Sequence, residues 1–139
     1  RFPGRVKAGS ESDYVSGFED WLPTILELVG EQGSTPNAID GMSIAPVLLG
    51  KEQQPRPFLY REFPSYGGQQ MVRVGDWKAV RQNLARAKKI VTELYNLADD
   101  PSESNDLADQ EPEILAKLEA LMKQEHSPSD IFPIPVLDR

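Results

Sequence analysis

The most informative absence in this chain of 139 residues is cysteine, of which there is none. Without cysteine the chain forms no disulfide, offers no thiol nucleophile and has no cysteine-ligated metal site. Histidine is nearly absent as well, with His126 as its one example. No apolar run approaches the length of a membrane span, and no signal peptide is visible. These absences exclude thiol chemistry and a membrane-spanning helix.

Positive charge is in the minority, since 15 Lys and Arg residues face 22 Asp and Glu residues and the net charge is −7 at pH 7. This balance argues against nucleic-acid binding, because no basic face could dominate it. The one local basic run, residues 86–89, is interpreted as a solvated loop rather than as a phosphate site.

The first half of the chain predicts two helices, at about residues 18–29 and 43–49. The first is apolar on most of its faces, which indicates burial between layers of a larger structure, and Trp21 is assigned to that core. Its apolar surface exceeds what so short a segment normally hides. The chain also opens without an initiator methionine. Both features lead us to expect a processed chain or an excised piece of a longer protein.

The second half of the chain predicts an α+β fold, a small antiparallel sheet of about four strands packed against a C-terminal amphipathic helix. Strand composition occurs at 58–63 and 90–97, and residues 69–83 are typical of a hairpin with Gly75 and Asp76 at its turn. That register pairs Val74 with Trp77, which is assigned to the core. Apolar residues at helical spacing predict a helix over 110–126, with Asp109 as N-cap and Pro112 in its first turn.

Several polar side chains are candidates for function. His126 follows the last helix and is interpreted as a surface or helix-capping residue, because no partner is evident nearby in sequence. Arg73 and Lys78 should lie opposite each other in the hairpin. A sulfate between them is one alternative, and neutralisation by Glu93 from the next strand is favoured.

An acidic turn at residues 99–103 separates the last strand from the last helix. Asp and Ser favour turns through their own backbone hydrogen bonds, and Pro101 presets one φ angle. Asp99, Asp100 and Glu103 are interpreted as turn residues rather than as calcium ligands, because their spacing matches no oxygen-ligand loop.

An ordered series of motifs resembles the sulfatases, in particular the arylsulfatase-like enzymes of the alkaline phosphatase superfamily. Asp20, Pro23 and Thr24 are similar to that family's Asp-x-x-Pro-Thr helix. The remaining elements of the series are "RFPGRVKAG", "IDGMSIAPVLLG", "MVRVGDWKAV" and "ELYNLADDPSESNDLA". The likeness extends over nearly the whole chain, and the order and spacing of the motifs make it specific.

The resemblance implies the C-terminal portion of a sulfuric ester hydrolase that acts through a formylglycine and a calcium ion. The Cys/Ser-x-Pro-x-Arg motif that yields formylglycine is missing, since the nearest match, residues 34–38, ends in Ala38. We therefore expect no catalytic or metal-binding residue here, and an inactive fragment. Formylglycine and calcium are expected in a missing N-terminal domain, the fragment's main partner. Residues 1–50 would end that large α/β domain, and 51–139 would form the C-terminal subdomain.

The same resemblance suggests a substrate contact at Tyr66, Gly67, Gly68 and Gln69. Two glycines beside an aromatic ring and an amide can let backbone and side chain approach a sulfated sugar or aryl group. An ordinary hairpin connection is the open alternative. Alternatives for the whole are a phosphodiesterase or phosphonate hydrolase of the same superfamily, and a stand-alone interaction module that docks through helix 18–29. Self-association through that helix and a periplasmic or secreted location are further expectations.

Overall fold

The computed structural model describes residues 1–85 and 89–138. Most of the basic run at 86–89 therefore lies outside the described residues. The chain divides into two compact units, Arg1–Arg56 and Pro57–Arg139. The assignment of residues 1–50 to a larger α/β domain stays a prediction.

The helices are α1 (Trp21–Val29), preceded by a 3-10 turn (Phe18–Asp20), then a 3-10 turn (Gln32–Ser34), α2 (Ala45–Leu48) and α3 (Pro112–Glu125). The strands are β1 (Leu59–Phe63), β2 (Gln69–Val74), β3 (Trp77–Gln82) and β4 (Val91–Asn96).

The second unit is an antiparallel sheet in the order β1-β2-β3-β4, joined by α3 at its C-terminal end. This confirms the α+β class predicted from the sequence. The hairpin register is also the predicted one, because Val74 pairs with Trp77 and Val72 pairs with Ala79. Gly75 adopts a φ of 57° in the two-residue turn, a backbone conformation that glycine reaches without steric cost.

The core of the second unit lies between one face of the sheet and α3. Strand residues alternate between the two faces, so every second side chain of β2 to β4 points at the helix. Trp77 is half-buried and packs against this core, in agreement with its assignment. The fully or nearly buried members of the cluster are Val72, Ala79, Leu94, Leu118 and Met122.

The first unit leaves the apolar face of α1 uncovered, as expected for a surface larger than so short a segment can hide, and burial of this face in a longer protein stays a prediction. Trp21 is 46% exposed and Phe18 is 92% exposed, so neither belongs to a core within this chain. Only Pro23 and Thr24 of the helix are buried. A periodic pattern identifies an apolar face but does not show that the same segment of chain covers it.

The start of α3 corrects one prediction. The helix begins at Pro112, and its N-cap is Glu111, which makes no side-chain capping bond. Asp109 precedes the helix by too many residues to reach its first free N–H groups. Pro112 occupies the first turn as predicted, where its missing N–H costs no hydrogen bond. None of the described helices is long and apolar enough to cross a membrane.

Candidate functional site

The loop between β1 and β2 contains the residues that the sequence suggested for substrate contact. Three successive residues adopt left-handed backbone conformations: Tyr66 (φ 53°), Gly67 (φ 88°) and Gly68 (φ 78°). Glycine reaches this region freely, whereas a tyrosine is uncommon there. A side chain at position 68 would also bring a Cβ to 3.0 Å from Leu84 Cβ. The second glycine is therefore required by both conformation and space.

This loop is fastened to the chain that follows β3. The Leu84 N–H donates to the Gly68 carbonyl at 3.1 Å, and the Ala85 N–H donates to the Gly67 carbonyl at 2.8 Å. Leu84 is buried beneath the loop's end. Two backbone bonds and a buried anchor hold a tightly turned loop in one shape, which is a requirement for a contact that orients a ligand.

The four residues suggested for substrate contact differ in their exposure and in their contacts. Tyr66 is 85% exposed, and its ring stacks on Phe63 with centroids 6.0 Å apart and an interplanar angle of 19°. Gln69 lies in β2 opposite Phe63, is half-buried, and points away from the core-facing side of the strand. Phe63 was missed by the sequence analysis. Phe63 is close to Tyr66 in sequence, with Pro64 between them, but this indicates a ring contact only weakly, because the contact depends on how the intervening turn folds.

Arg73 and Lys78 lie opposite each other, as predicted. The predicted neutralising residue is wrong, because Lys78 Nζ lies 2.5 Å from Glu103 Oε1 rather than on Glu93. Arg73 Nε donates to the Gly75 carbonyl at 2.8 Å. Glu93 is opposite Val80 in the sheet and accepts from the side chain of Gln82, so register places it away from Lys78.

The acidic turn is held by Asp100. Its carboxylate accepts the backbone N–H groups of Ser104 at 2.7 Å and Asn105 at 2.8 Å, together with the hydroxyl of Ser102. These bonds, that from Asn105 first, lower the pKa of Asp100 to about 2. Asp99 accepts from the Asn96 amide. Within residues 1–85 and 89–138, no group of three His, Asp or Glu side chains is placed to hold a metal ion.

Asp20, at the start of the Asp-x-x-Pro-Thr motif, organises the first unit. Its fully buried carboxylate accepts the N–H of Gly17 at 2.7 Å and of Met42 at 2.8 Å, and it is paired with Arg56. Burial raises the pKa of Asp20, but the hydrogen bonds from Gly17, Met42 and Arg56 outweigh it and lower the pKa overall. Asp20 therefore remains a carboxylate that ties three segments together.

Thr24 and Gly41 complete this anchor. The Thr24 hydroxyl donates to the Asp20 carbonyl at 2.5 Å and accepts the Ile44 N–H at 2.9 Å. Gly41 packs so closely that an added Cβ would overlap the carbonyl group of Glu19. The Asp-x-x-Pro-Thr motif and the "IDGMSIAPVLLG" motif thus form one structural unit, which fastens residues 41–44 to the start of α1.

His126 has partners that the sequence analysis did not foresee. Nδ1 lies 2.6 Å from Glu62 Oε1 and Nε2 lies 2.9 Å from Asp138 Oδ1. His126 is the C-cap residue of α3, in agreement with the interpretation as a surface or helix-capping residue, but neither carboxylate partner was evident in the sequence. Glu62 also accepts from the Tyr60 hydroxyl. Burial is the main cause that raises the pKa of Tyr60 well above its ordinary value, and the hydrogen bond to Glu62 raises it further. Gln70, almost fully buried, donates to the Tyr60 oxygen at 2.8 Å.

The sequence profile of the family described as N-sulphoglucosamine sulphohydrolase, C-terminal, matches residues 1–127 of this chain. Among curated relatives, the chain is 29% identical to the ulvan-active sulfatase of Formosa agariphila, over 88% of this chain and 30% of that protein. The chain thus spans less than a third of that relative's length.

Solved structures share the fold. One, in complex with its substrate D-glucosamine-2-N,6-O-disulfate, superposes with a TM-score of 0.73 at 25% identity, over 89% of this chain and 26% of its own. The phosphonate monoester hydrolase of Agrobacterium radiobacter superposes with a TM-score of 0.54 at 21% identity, over 91% of this chain and 30% of its own. The second likeness shows the fold alone.

Proposed function

Because this chain belongs to the sulfatase family, through the domain described as N-sulphoglucosamine sulphohydrolase, C-terminal, we propose that it is the C-terminal part of a sulfuric ester hydrolase. The profile match over residues 1–127 carries this proposal. In the whole enzyme the chain completes the scaffold and forms one wall of the substrate cleft.

The catalytic groups belong, in this proposal, to the preceding domain. A formylglycine would supply the nucleophile that attacks sulfur, and calcium would stabilise negative charge. The carboxylates described here do not fit a calcium site, because Asp20, Asp100 and Glu103 are committed to Arg56, to backbone N–H groups and to Lys78. The chain alone is therefore expected to be inactive, with the preceding domain covering the exposed face of α1.

The substrate class that we propose is a sulfated saccharide. The ulvan-active relative and the structure holding a glucosamine disulfate both support a sugar. The exposed ring of Tyr66, stacked on Phe63, offers a flat apolar surface for one face of a pyranose ring. Gln69 adds a hydrogen-bonding amide, whereas Gly68 is buried against Leu84 and shapes the loop rather than contacting a ligand.

Kinetics of the whole enzyme on sulfated monosaccharides test this contact. Tyr66→Ala and Gln69→Ala should raise KM on the order of tenfold, about 1.4 kcal/mol of binding, with little change in kcat. Phe132→Ala is the matched control, because Phe132 is also an exposed aromatic residue and lies outside the loop. Unchanged KM and unchanged preference across several sulfate esters would remove Tyr66 and Gln69 from the site.

The sulfatase assignment itself has a separate test. The whole reading frame, expressed and purified, should hydrolyse aryl or sugar sulfates, and the isolated 139-residue chain should not. Phosphonate monoesters and phosphodiesters are assayed in parallel, because the fold is shared with a phosphonate monoester hydrolase. Preference for phosphorus esters would favour that alternative, and a frame without a catalytic domain would favour an interaction module. Cell fractionation of the producing organism tests the proposed periplasmic or secreted location.

A further inference from the structure

His126 makes hydrogen bonds at both ring nitrogens, and both partners are carboxylates, Glu62 at 2.6 Å and Asp138 at 2.9 Å. A neutral imidazole has one N–H and can donate to only one of them, leaving its other nitrogen facing a carboxylate oxygen. An imidazolium donates to both. The side chain is 9% exposed, so water has little access to replace a lost bond. The geometry therefore fits the protonated ring.

The two carboxylates come from distant parts of the second unit. Glu62 lies on β1, whereas Asp138 lies in the C-terminal segment, residues 127–138. The second oxygen of Asp138 accepts the Ile134 N–H at 2.8 Å, and the Leu137 N–H donates to the Ile134 carbonyl at 2.8 Å. Ile134 is buried. His126 thus connects the sheet to a small turn that ends the described chain.

The C-terminal segment has no helix or strand of its own to hold it in place. Residues 127–138 contribute no helix or strand, and Ile131 and Phe132 are largely exposed. Val136 and Leu137 line a cavity of about 520 Å³ beside α3, whose other walls include Gln70, Arg81 and His126 itself. The segment closes one side of this cavity.

We propose that His126 is a pH-dependent latch, which fastens the C-terminal segment 127–138 over this cavity when its ring is protonated and releases it when the ring is neutral. The proposal concerns residues beyond the glycine loop and does not depend on the enzyme's substrate.

The other charged groups near the latch act in both directions. From β3, Arg81 is bound to Glu119 of α3 at 2.6 Å and is not available to neutralise Glu62. Lys123 lines the same cavity from α3 and, as a cation, opposes protonation of His126. From β1, the Tyr60 hydroxyl donates to Glu62, and Glu125 at the end of α3 adds negative charge near Tyr60.

The direction of the pH dependence follows from the two states of the ring. Burial lowers the pKa of His126, but the hydrogen bonds and charges of Glu62 and Asp138 outweigh it and raise the pKa above its ordinary value. The latch is therefore fully closed below the ordinary histidine value of about 6.5 and is lost as pH rises through the raised pKa.

NMR of the 139-residue chain tests the latch directly, because His126 is its single histidine and its ring signals need no assignment. Ring ¹H–¹³C shifts give its titration, and methyl relaxation of Ile134 and Leu137 reports the mobility of the segment without interference from amide exchange. We expect a titration above the ordinary histidine range, with methyl order parameters falling by about half over the same pH interval, as in a flexible segment.

Three variants separate the latch from general destabilisation. Asp138→Asn should lower the His126 titration and free the segment at all pH values, whereas Asp130→Asn, an exposed carboxylate in the same segment, should change neither. His126→Gln should keep the segment mobile without a pH transition. A segment that stays rigid through the histidine titration, or a titration at or below the ordinary value, overturns the proposal. The wild-type chain alone supplies both measurements if a variant fails to fold.

Discussion

At the scale of single residues, Gly41 has no room for a side chain. An added Cβ would lie 2.7 Å from the carbonyl carbon of Glu19 and would overlap its oxygen. These are backbone atoms of the 3-10 turn that precedes α1 and cannot rotate aside. Gly41→Ala should therefore destabilise the first unit by about 2 kcal/mol or more, in the upper part of the range for overpacking.

Gly33→Ala is the matched control, because nothing lies within 4 Å of a Cβ at Gly33 and its backbone is not left-handed. Its effect should stay within about 0.5 kcal/mol. Urea unfolding of both variants is followed through Trp21 fluorescence in a Trp77→Phe background, which isolates the first unit's tryptophan. Equal midpoints for the two variants would contradict the close contact at Gly41.

Asp20 gives a second prediction at this scale, concerning pH. Because the pKa of Asp20 is lowered in the folded chain, its contribution to stability is present above the ordinary value of about 3.9 and is lost as pH falls through the lowered pKa. Asp20→Asn removes the close carboxylate partner of the buried Arg56 and leaves it only Glu19, at 3.9 Å, so we expect a loss of about 3 kcal/mol at pH 7.

The free energy of unfolding of the variant should also fall less steeply than that of the wild type between about pH 5 and pH 2. This is roughly the interval over which a hydrogen-bonded carboxylate titrates. Thermal unfolding across that range compares wild type, Asp20→Asn and Asp13→Asn, whose carboxylate is exposed. If Asp20→Asn and Asp13→Asn show the same pH profile, Asp20 does not hold the motif in the way described.

At the scale of elements, α1 presents an apolar face that the first unit does not cover. Leu22, Ile25 and Val29 are each at least half exposed along one side of the helix. A contiguous face of this kind promotes association in water. We expect the isolated chain to form dimers or larger species in sedimentation velocity, and the double variant Leu22→Glu/Ile25→Glu to sediment as a monomer.

Ile131→Glu serves as the control for the helix variant, because Ile131 is an even more exposed apolar residue outside α1. It should leave the association unchanged. A monomeric wild-type chain at concentrations of about 100 μM, far above typical dimer dissociation constants, would remove α1 as a self-association surface.

The elements also show what sequence could predict. The β2–β3 hairpin and α3 were predictable because local periodicity and turn chemistry determine them, down to the pairing of Val74 with Trp77. The partners of long side chains were not. Lys78 binds Glu103 from a loop rather than Glu93 from the neighbouring strand, and His126 meets Glu62 from 64 residues earlier. Such pairs depend on how elements pack, which no local pattern encodes.

The candidate site was predictable in position but not in geometry. The run Tyr66-Gly67-Gly68 signalled a special backbone, and the structure shows three left-handed residues there. The stacking of Tyr66 on Phe63 depends on the shape of the intervening turn and was missed. Likewise, the Asp-x-x-Pro-Thr motif was recognisable in the sequence only by its resemblance to a family. Its physical role, which is to fasten Met42 and Ile44 to α1, depends on hydrogen bonds that only the structure shows.

At the scale of the whole molecule, the two units differ in how much core each contains. The second unit encloses a cluster built from three strands and α3, with Val72, Ala79, Leu94 and Met122 fully buried. The first unit buries only two apolar residues besides Pro23, namely Ile44 and Ala45. A stable domain needs apolar burial large enough to offset the entropy of ordering the chain. The second unit meets that requirement far better than the first.

We therefore expect residues 57–139 to fold when expressed alone, whereas residues 1–56 should remain largely unfolded. Circular dichroism and ¹H–¹⁵N NMR of each piece check this, since a folded second unit gives dispersed signals and a cooperative thermal transition. Met122→Ala in the 57–139 piece should remove about 2–5 kcal/mol, the usual cost of truncating a buried methionine. Lack of dispersion for 57–139 would mean that its core depends on residues 1–56 or on the proposed preceding domain.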